Sequence, residues 1–294
     1  MKAAPFDYAL MDSIDAVTNA LAEAGDEAMI IAGGQTLVPM MALRMASPTL
    51  LVDVNAIAEL KGISAESDSV TIKACTRQAE ALSSALVRDR LPLLARALPN
   101  VGHAQTRNRG TVGGSIALGD PAAEIPLVAT ALDARLTLRN REGERECAIV
   151  NFYEGPMMTL REPDECLTET LFPDWTGAGA IGSAFEEVSQ RHGDFAIAAA
   201  AAQLQIDADG TCTCAALALG GVAPTPVRVS AAEEILVGSD ADEQAIDAAV
   251  DTVEAAIDPQ TDTQASAAYR RRVAKVLAGR VMRAAAQEAR GAAT

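Results

Sequence analysis

Two periodicities run along this chain and together predict an α+β fold: apolar residues recur at helical spacing in some segments and alternate, or form short runs, in others. The helical signal is clearest at Ile14, Val17 and Leu21, and the strand signal at Ser69 to Thr76, where Val70, Ile72 and Ala74 alternate with polar neighbours. A third observation is a shift of composition after "LFPDWTGAGAIGSA", whose Pro and Gly punctuation places a boundary near Gly177.

The elements follow in order. Asp12 or Ser13 caps the first helix, and Gly25 stops it. Ala28 to Ala32 reads as a strand, Met41 to Met45 as a connecting helix, and "TLLVDVNAI", Thr49 to Ile57, as a second strand. After the strand at Ser69 to Thr76, Thr76 opens a helix carrying Ala79, Leu82 and Leu86. Ala134 to Val150 reads as a hairpin turning at Asn140 to Gly143. Beyond the boundary, Ala198 to Gly221 is a second hairpin with its turn at Asp207 to Gly210. Helices follow through Ala231 to Ile257 and through Gln264 to Ala289. The economical packing is a small sheet with helices on one side.

The chain has 294 residues, 49% of them hydrophobic, which suffices for a substantial core and two or three subdomains. Forty acidic against 24 basic residues give a formal charge of −16, which repels phosphate backbones and anionic lipid. Nucleic acid and membrane surfaces are therefore excluded as expected partners. The N-terminus reaches Asp7 too soon for a signal peptide, and no window approaches the ~20 apolar residues of a membrane span, so the expected location is cytoplasmic. Five cysteines show no metal-ligand spacing and read as thiols.

Two glycine-containing segments stand out. "AGGQTLVPMM", Ala32 to Met41, ends a strand on Gly33 and Gly34, where missing side chains let amides approach a ligand and converge on an anion; Thr36 adds a hydroxyl. "GTVGGSIALGDPAAEIP", Gly110 to Pro126, repeats that chemistry with Thr111, Gly113, Gly114 and Ser115. Two such nests suit two phosphates. Neither segment matches the GxGxxG or GxxxxGK[ST] patterns. Asp120 and Glu124 put carboxylates beside the second loop, either to accept a ribose hydroxyl or as an ordinary acidic turn before a helix near Ala122. Arg107 and Arg109 flank it, placed either to offset a ligand's negative charge or to make surface ion pairs. His103 and His192 have no nucleophile, carboxylate dyad or metal set beside them in sequence, and read as structural or solvent-facing.

These two segments, with "GDFAIAAAA" at Gly193 to Ala201, "ALGGVAPTPVR" at Ala218 to Arg228 and "YRRRVAKVLAGRVMRAA" at Tyr269 to Ala285, resemble the medium, FAD-binding subunit of molybdenum hydroxylases, the carbon monoxide dehydrogenase and xanthine dehydrogenase family. The resemblance implies a vanillyl-alcohol-oxidase (PCMH)-type FAD-binding domain over residues 1–176, in subdomains of about 1–57 and 58–176. A flavoprotein C-terminal domain over 177–294, a small antiparallel sheet with helices, would follow. Carried over by residue, it implies that Ile31, Ala32, Gly33, Gly34, Gln35, Thr36, Leu37 and Val38 surround the FAD pyrophosphate as the first loop, and Thr111, Gly113, Gly114 and Ser115 as the second. Glu124 falls on the adenosine side, with Asp120 near it. Val101 and Gly102 lie against the flavin, and Phe185, Glu186 and Phe195 fall in stretches that make flavin-side contacts.

The same resemblance implies non-covalent FAD here, and a molybdenum cofactor and [2Fe–2S] clusters on a large and a small partner subunit, as a dimer of heterotrimers. The implied activity is electron relay from partner clusters through FAD to quinone, NAD or oxygen, without catalytic or metal-ligating residues of the chain's own. Alternatives are a stand-alone FAD oxidoreductase of the same fold and a non-redox nucleotide-binding module. The charge-poor stretches "LVPMMALRM" and "GGVAPTPV" are candidate protein contacts or core-facing segments.

Overall fold

A computed structural model describes residues 2–175 and 179–292. The boundary expected near Gly177 lies outside the described residues. Among the described residues three main sheets, besides a two-stranded ribbon, carry the chain, each main sheet with its own helices.

The first is a parallel sheet. Strands β1 (Asp7–Leu10) and β2 (Ala28–Ile31) flank β3 (Leu50–Asp53). Helix α1 (Ile14–Ala24) starts where the Ser13 side chain accepts from the Ala16 amide, and stops at Gly25. Its apolar positions Ile14, Val17 and Leu21 are buried against β2 and β3, as their spacing requires. Helix α2 occupies Leu37–Ala42, earlier than the expected Met41 to Met45. Pro39 permits this because it sits in the first turn, where its missing N–H has no intrahelical partner to lose. The expected long strand Thr49 to Ile57 is the short β3 followed by an Asp53–Asn55 turn, in which the Asp53 carboxylate accepts from the Asn55 amide.

The second sheet is antiparallel, in the order β4 (Ile63–Ala65), β5 (Ser69–Lys73), β10 (Cys166–Pro173), β6 (Arg135–Arg139), β7 (Glu144–Ala148). The β6–β7 hairpin turns at Asn140 to Gly143 as its sequence predicts. The helix expected to open at Thr76 is two: α3 (Gln78–Ser83) and α4 (Ala85–Arg90), divided because Ser84 adopts an extended conformation and caps the second. Between β5 and β6 run α5 (Pro92–Ala97), α6 (Ala104–Arg109), α7 (Val112–Leu118) and α8 (Glu124–Ala131). Strands β8 (Tyr153–Gly155) and β9 (Met158–Thr159) form a small ribbon before β10.

The third sheet is antiparallel, in the order β11 (Ala180–Val188), β12 (Ala198–Ile206), β13 (Cys212–Gly220), β14 (Val227–Arg228), followed by α9 (Ser230–Leu236), α10 (Glu243–Ala256) and α11 (Ala267–Ala292). Its β12–β13 turn lies at Asp207 to Gly210, where Asp207 Oδ1 accepts from the Asp209 and Thr211 amides. The alanine run Ala198–Ala202 is buried on both faces: Ala199 and Ala201 join the core shared with α8 and the second sheet, whereas Ala198, Ala200 and Ala202 join the core under α11. Small side chains are needed because helices press on both sides. On β11 a side chain at Gly182 would collide with the Ala285 carbonyl of α11. Helices thus cover both faces of this sheet; the sequence predicts one.

Candidate functional site

The glycine-rich ends of β2 and α6 meet. A Cβ at Gly33 would lie 2.6 Å from the Arg109 carbonyl oxygen and 2.7 Å from Gly110 Cα, so the two loops are in backbone contact. Between the first two sheets and the β11–β12 connection they line a cleft of about 600 Å³.

Ile31, Ala32, Gly33, Gly34, Gln35, Thr36 and Leu37 line this cleft, and so do Thr111, Gly113, Gly114 and Ser115. The two loops differ in chemistry. Gly34 has φ +69°, a left-handed turn that costs glycine little. The amide N–H groups from Gly33 to Leu37 donate to no acceptor among the described residues, so they form a concave donor surface suited to an anion. In the second loop the amides are already used: Val112 donates to Thr76 O, Gly113 to Ala74 O at 3.0 Å, Gly114 to Thr111 Oγ1 at 3.0 Å and Ser115 to Thr111 O. Gly113 is a packing residue, because a Cβ there would lie 2.5 Å from that of Ala74. The expectation of two amide nests is therefore corrected to one nest and one hydroxyl-bearing wall, since the segment after β5 takes the Val112 and Gly113 amides and the first turn of α7 takes those of Gly114 and Ser115.

Val101, Gly102, Glu124 and Phe195 also line the cleft, Phe195 half exposed at its rim. Val38, Asp120, Phe185 and Glu186 lie outside its lining. The Asp120 carboxylate accepts from the Ala122 amide at 2.8 Å, shaping the turn into α8. Phe185 packs against the core under α8, and Glu186, on the opposite face of β11, pairs with Arg280 of α11 at 3.2 Å. Strand alternation therefore gives Glu187, rather than Glu186, the face towards α8. Burial raises the Glu187 carboxyl to about 8, with the Glu124 charge adding to it, and one Glu187 oxygen is buried without a hydrogen bond. Burial likewise raises Glu124 to about 7; its own amide and Arg107 oppose the rise, and Asp120 adds to it.

Several cleft residues carry no signal in the sequence. Gln78 of α3 and Arg161, in the loop before β10, both line it. Arg161 Nη1 donates to the Glu162 and Glu165 carbonyls at 2.8 Å, and burial lowers its pKa. The buried thiols Cys75 and Cys166 form another part of the lining, and burial holds them protonated, at about 11 and about 12. Only the meeting of β5 and β10 brings these residues to the cleft. Of the flanking arginines, Arg107 Nη1 donates to the Val101 and Gly102 carbonyls at 2.9 and 2.8 Å, a loop clamp where the sequence suggests a ligand counter-charge or an ion pair. His103 and His192 are exposed, and His103 packs under Gly193.

Among the described residues no group of His, Cys, Asp and Glu is placed to hold a metal ion, and no helix is long and apolar enough to cross a membrane. In "LVPMMALRM" Leu43 and Met45 are exposed whereas Met41 is buried; in "GGVAPTPV" Val222 and Pro226 are buried.

Residues 4–175 match the FAD binding domain in molybdopterin dehydrogenase, and residues 183–285 match the CO dehydrogenase flavoprotein C-terminal domain. The chain is 38% identical to the 6-hydroxypseudooxynicotine dehydrogenase complex subunit alpha of Paenarthrobacter nicotinovorans, over 99% of this chain and 97% of that one. It is 35% identical to the carbon monoxide dehydrogenase medium chain of Hydrogenophaga pseudoflava, over 95% and 96%. Its fold superposes on a solved structure of carbon monoxide dehydrogenase from the same organism, in the form lacking the Mo-pyranopterin moiety of the molybdenum cofactor. The TM-score is 0.94 at 36% identity, covering 98% of this chain and 100% of that one. Related in this way throughout its length, the chain belongs to the FAD-binding medium subunits of the molybdenum hydroxylases.

Proposed function

We propose that this chain is the electron-relay subunit of a heteromeric molybdenum hydroxylase, held with a large molybdenum-cofactor subunit and a small [2Fe–2S] subunit as a dimer of heterotrimers in the cytoplasm. The observation that carries the assignment of the site is the run of unpartnered amides from Gly33 to Leu37, which fits a diphosphate without any lysine. FAD bound there supplies one-electron exchange on one side and transfer to a terminal acceptor on the other. The chain's own residues bind and orient it. Gly33 to Leu37 take the diphosphate, with the Thr111 and Ser115 hydroxyls on the opposing wall. Glu124 accepts from a ribose hydroxyl, and Val101, Gly102 and Phe195 flank the flavin, Phe195 restricting water at the rim.

Residues 1–176 serve as the FAD-binding unit and 177–294 as the C-terminal domain; the family matches ending at 175 and starting at 183 support that division. The exposed Leu43 and Met45 beside the first loop supply an apolar surface for the small subunit. Coexpression with neighbouring genes tests the proposal. The expected product is a complex containing molybdenum, iron and FAD, whose flavin is released on denaturation. Hydroxylation of an aldehyde, a purine or carbon monoxide by this chain alone would overturn the relay and favour a stand-alone flavoenzyme.

A further inference from the structure

The contact between the two loops is spanned by side chains that the cofactor does not explain. Arg77, the residue immediately before α3, forms an isolated bridge with Thr111 of the second loop. Its Nη1 donates to the Arg109 carbonyl, and its Nη2 to Asn55 Oδ1 at 2.6 Å. Asn55 in turn donates from Nδ2 to the Ala32 carbonyl at 2.7 Å and to Asp53 Oδ1 at 2.6 Å. The Tyr8 hydroxyl anchors the other oxygen of Asp53 at 2.7 Å. The chain of bonds thus starts on the first sheet, crosses to the start of α3 and ends on the second loop.

Its termini are the informative feature. The Ala32 carbonyl is the last backbone group before the free amides that begin at Gly33, and the Arg109 carbonyl is the group against which Gly33 packs. Gln78, the next residue, holds the same segment from its other side: its amide donates to Gly110 O at 2.9 Å, and its Nε2 to Thr111 O at 3.4 Å. A guanidinium suits the crossing because its planar fork offers donors in two directions at once, and it remains charged at any working pH. Burial works against the Asp53 charge, but the Tyr8 and Asn55 hydrogen bonds and the Arg77 charge outweigh it and hold its carboxyl below the usual carboxylate range.

We infer that Arg77, through Asn55, is a positioning residue for FAD: a strut that sets the spacing of the two cofactor loops and so keeps the Gly33 to Leu37 amides converged. This rests on the FAD reading of the cleft. Without the strut the loops remain, but their amides must be gathered at the moment of binding, and that ordering subtracts from affinity.

The test measures the FAD dissociation constant of the full chain by quenching of flavin fluorescence. Variants are Arg77→Ala, Asn55→Ala, their double variant and Arg77→Lys, with far-UV circular dichroism recorded on each. If the wild-type chain binds no FAD, the cofactor reading has failed and the strut with it. If it binds, each alanine variant is expected to bind about tenfold more weakly with unchanged secondary structure, and Arg77→Lys to fall between. The double variant should lose no more than the weaker single one, because cutting either link opens the same chain. Wild-type affinity in Arg77→Ala, or a double loss equal to the product of the single losses, would overturn the strut. Should Arg77→Ala prove insoluble, Arg77→Gln and Asn55→Ala carry the same comparison.

Discussion

Gly33 and Arg109 touch through their backbones: a Cβ at position 33 would lie 2.6 Å from the Arg109 carbonyl oxygen, closer than real Cβ atoms approach an oxygen. The neighbouring obstacle, Gly110 Cα, is also backbone, so no rotamer relieves the clash. Gly33→Val is expected to pry the loops apart and abolish measurable FAD binding while circular dichroism keeps its native shape. Gly114→Val is expected to do less. Its Cβ meets Thr111 Oγ1, which can rotate away at the loss of a helix cap of about 1 kcal/mol. Equal flavin occupancy in Gly33→Val and wild type would show that the loop contact is irrelevant to the cofactor.

The Glu124 and Glu187 carboxyls, raised to about 7 and about 8, make a pH prediction for the cofactor-free chain. Because the folded chain holds these protons more tightly than the unfolded one, their contribution is fully present below about pH 4.5. It is lost as pH rises through 7 and 8. Glu124, the more buried, contributes on the order of 3 kcal/mol across that window. The melting temperature of the apo chain should therefore fall between pH 5 and pH 8, and Glu124→Gln should flatten that fall. A melting temperature that rises over this range would refute the assignment.

Arg270 is buried in α11 and ties the third sheet to the C-terminal helix, donating to the Ile197 and Gly221 carbonyls and to Asp262 at 2.6 Å. Arg270→Met removes these bonds and leaves two carbonyls orphaned, a loss of about 3 kcal/mol. Scanning calorimetry should show a melting temperature lower by roughly 5 °C. A change of under about 2 °C would mean that water replaces the guanidinium at no cost.

At the rim of the cleft, Gly193 has φ +86°, and a Cβ there would lie 2.8 Å from His103 Cε1. Gly193→Ala is expected to displace the segment carrying Phe195 and to make bound flavin more accessible to iodide, read by fluorescence quenching. Adding His103→Ala relieves the clash but not the backbone strain, so quenching should recover only in part. Full recovery would assign the whole effect to the imidazole contact.

Much of this protein is determined by local sequence. The capped helix at Ser13, the hairpins at Asn140 to Gly143 and at Asp207 to Gly210, and the glycine pairs that line the cleft all arise from residues close in the chain, where capping, turn chemistry and periodicity act directly. The family is legible for the same reason, since its motifs are short and contiguous. What the two glycine pairs do is decided elsewhere. They look alike in sequence, but Gly113 and its neighbours give their amides to Ala74, Thr76 and Thr111, whereas the amides from Gly33 to Leu37 find no acceptor among the described residues. The difference depends on β5 lying beside α7, a contact between segments far apart in the chain. Glu187, rather than Glu186, faces Glu124 because the pairing of β11 with β12 sets which side of the strand each residue takes. Arg161 and Gln78 reach the cleft, and Arg77 reaches the second loop directly and the first through Asn55, only once three separate chain segments are packed together. Side-chain period and turn chemistry are local quantities, but satisfaction of a hydrogen bond or burial of a charge depends on the whole fold, and these two properties separate a loop whose amides are used in packing from one whose amides remain available to a ligand.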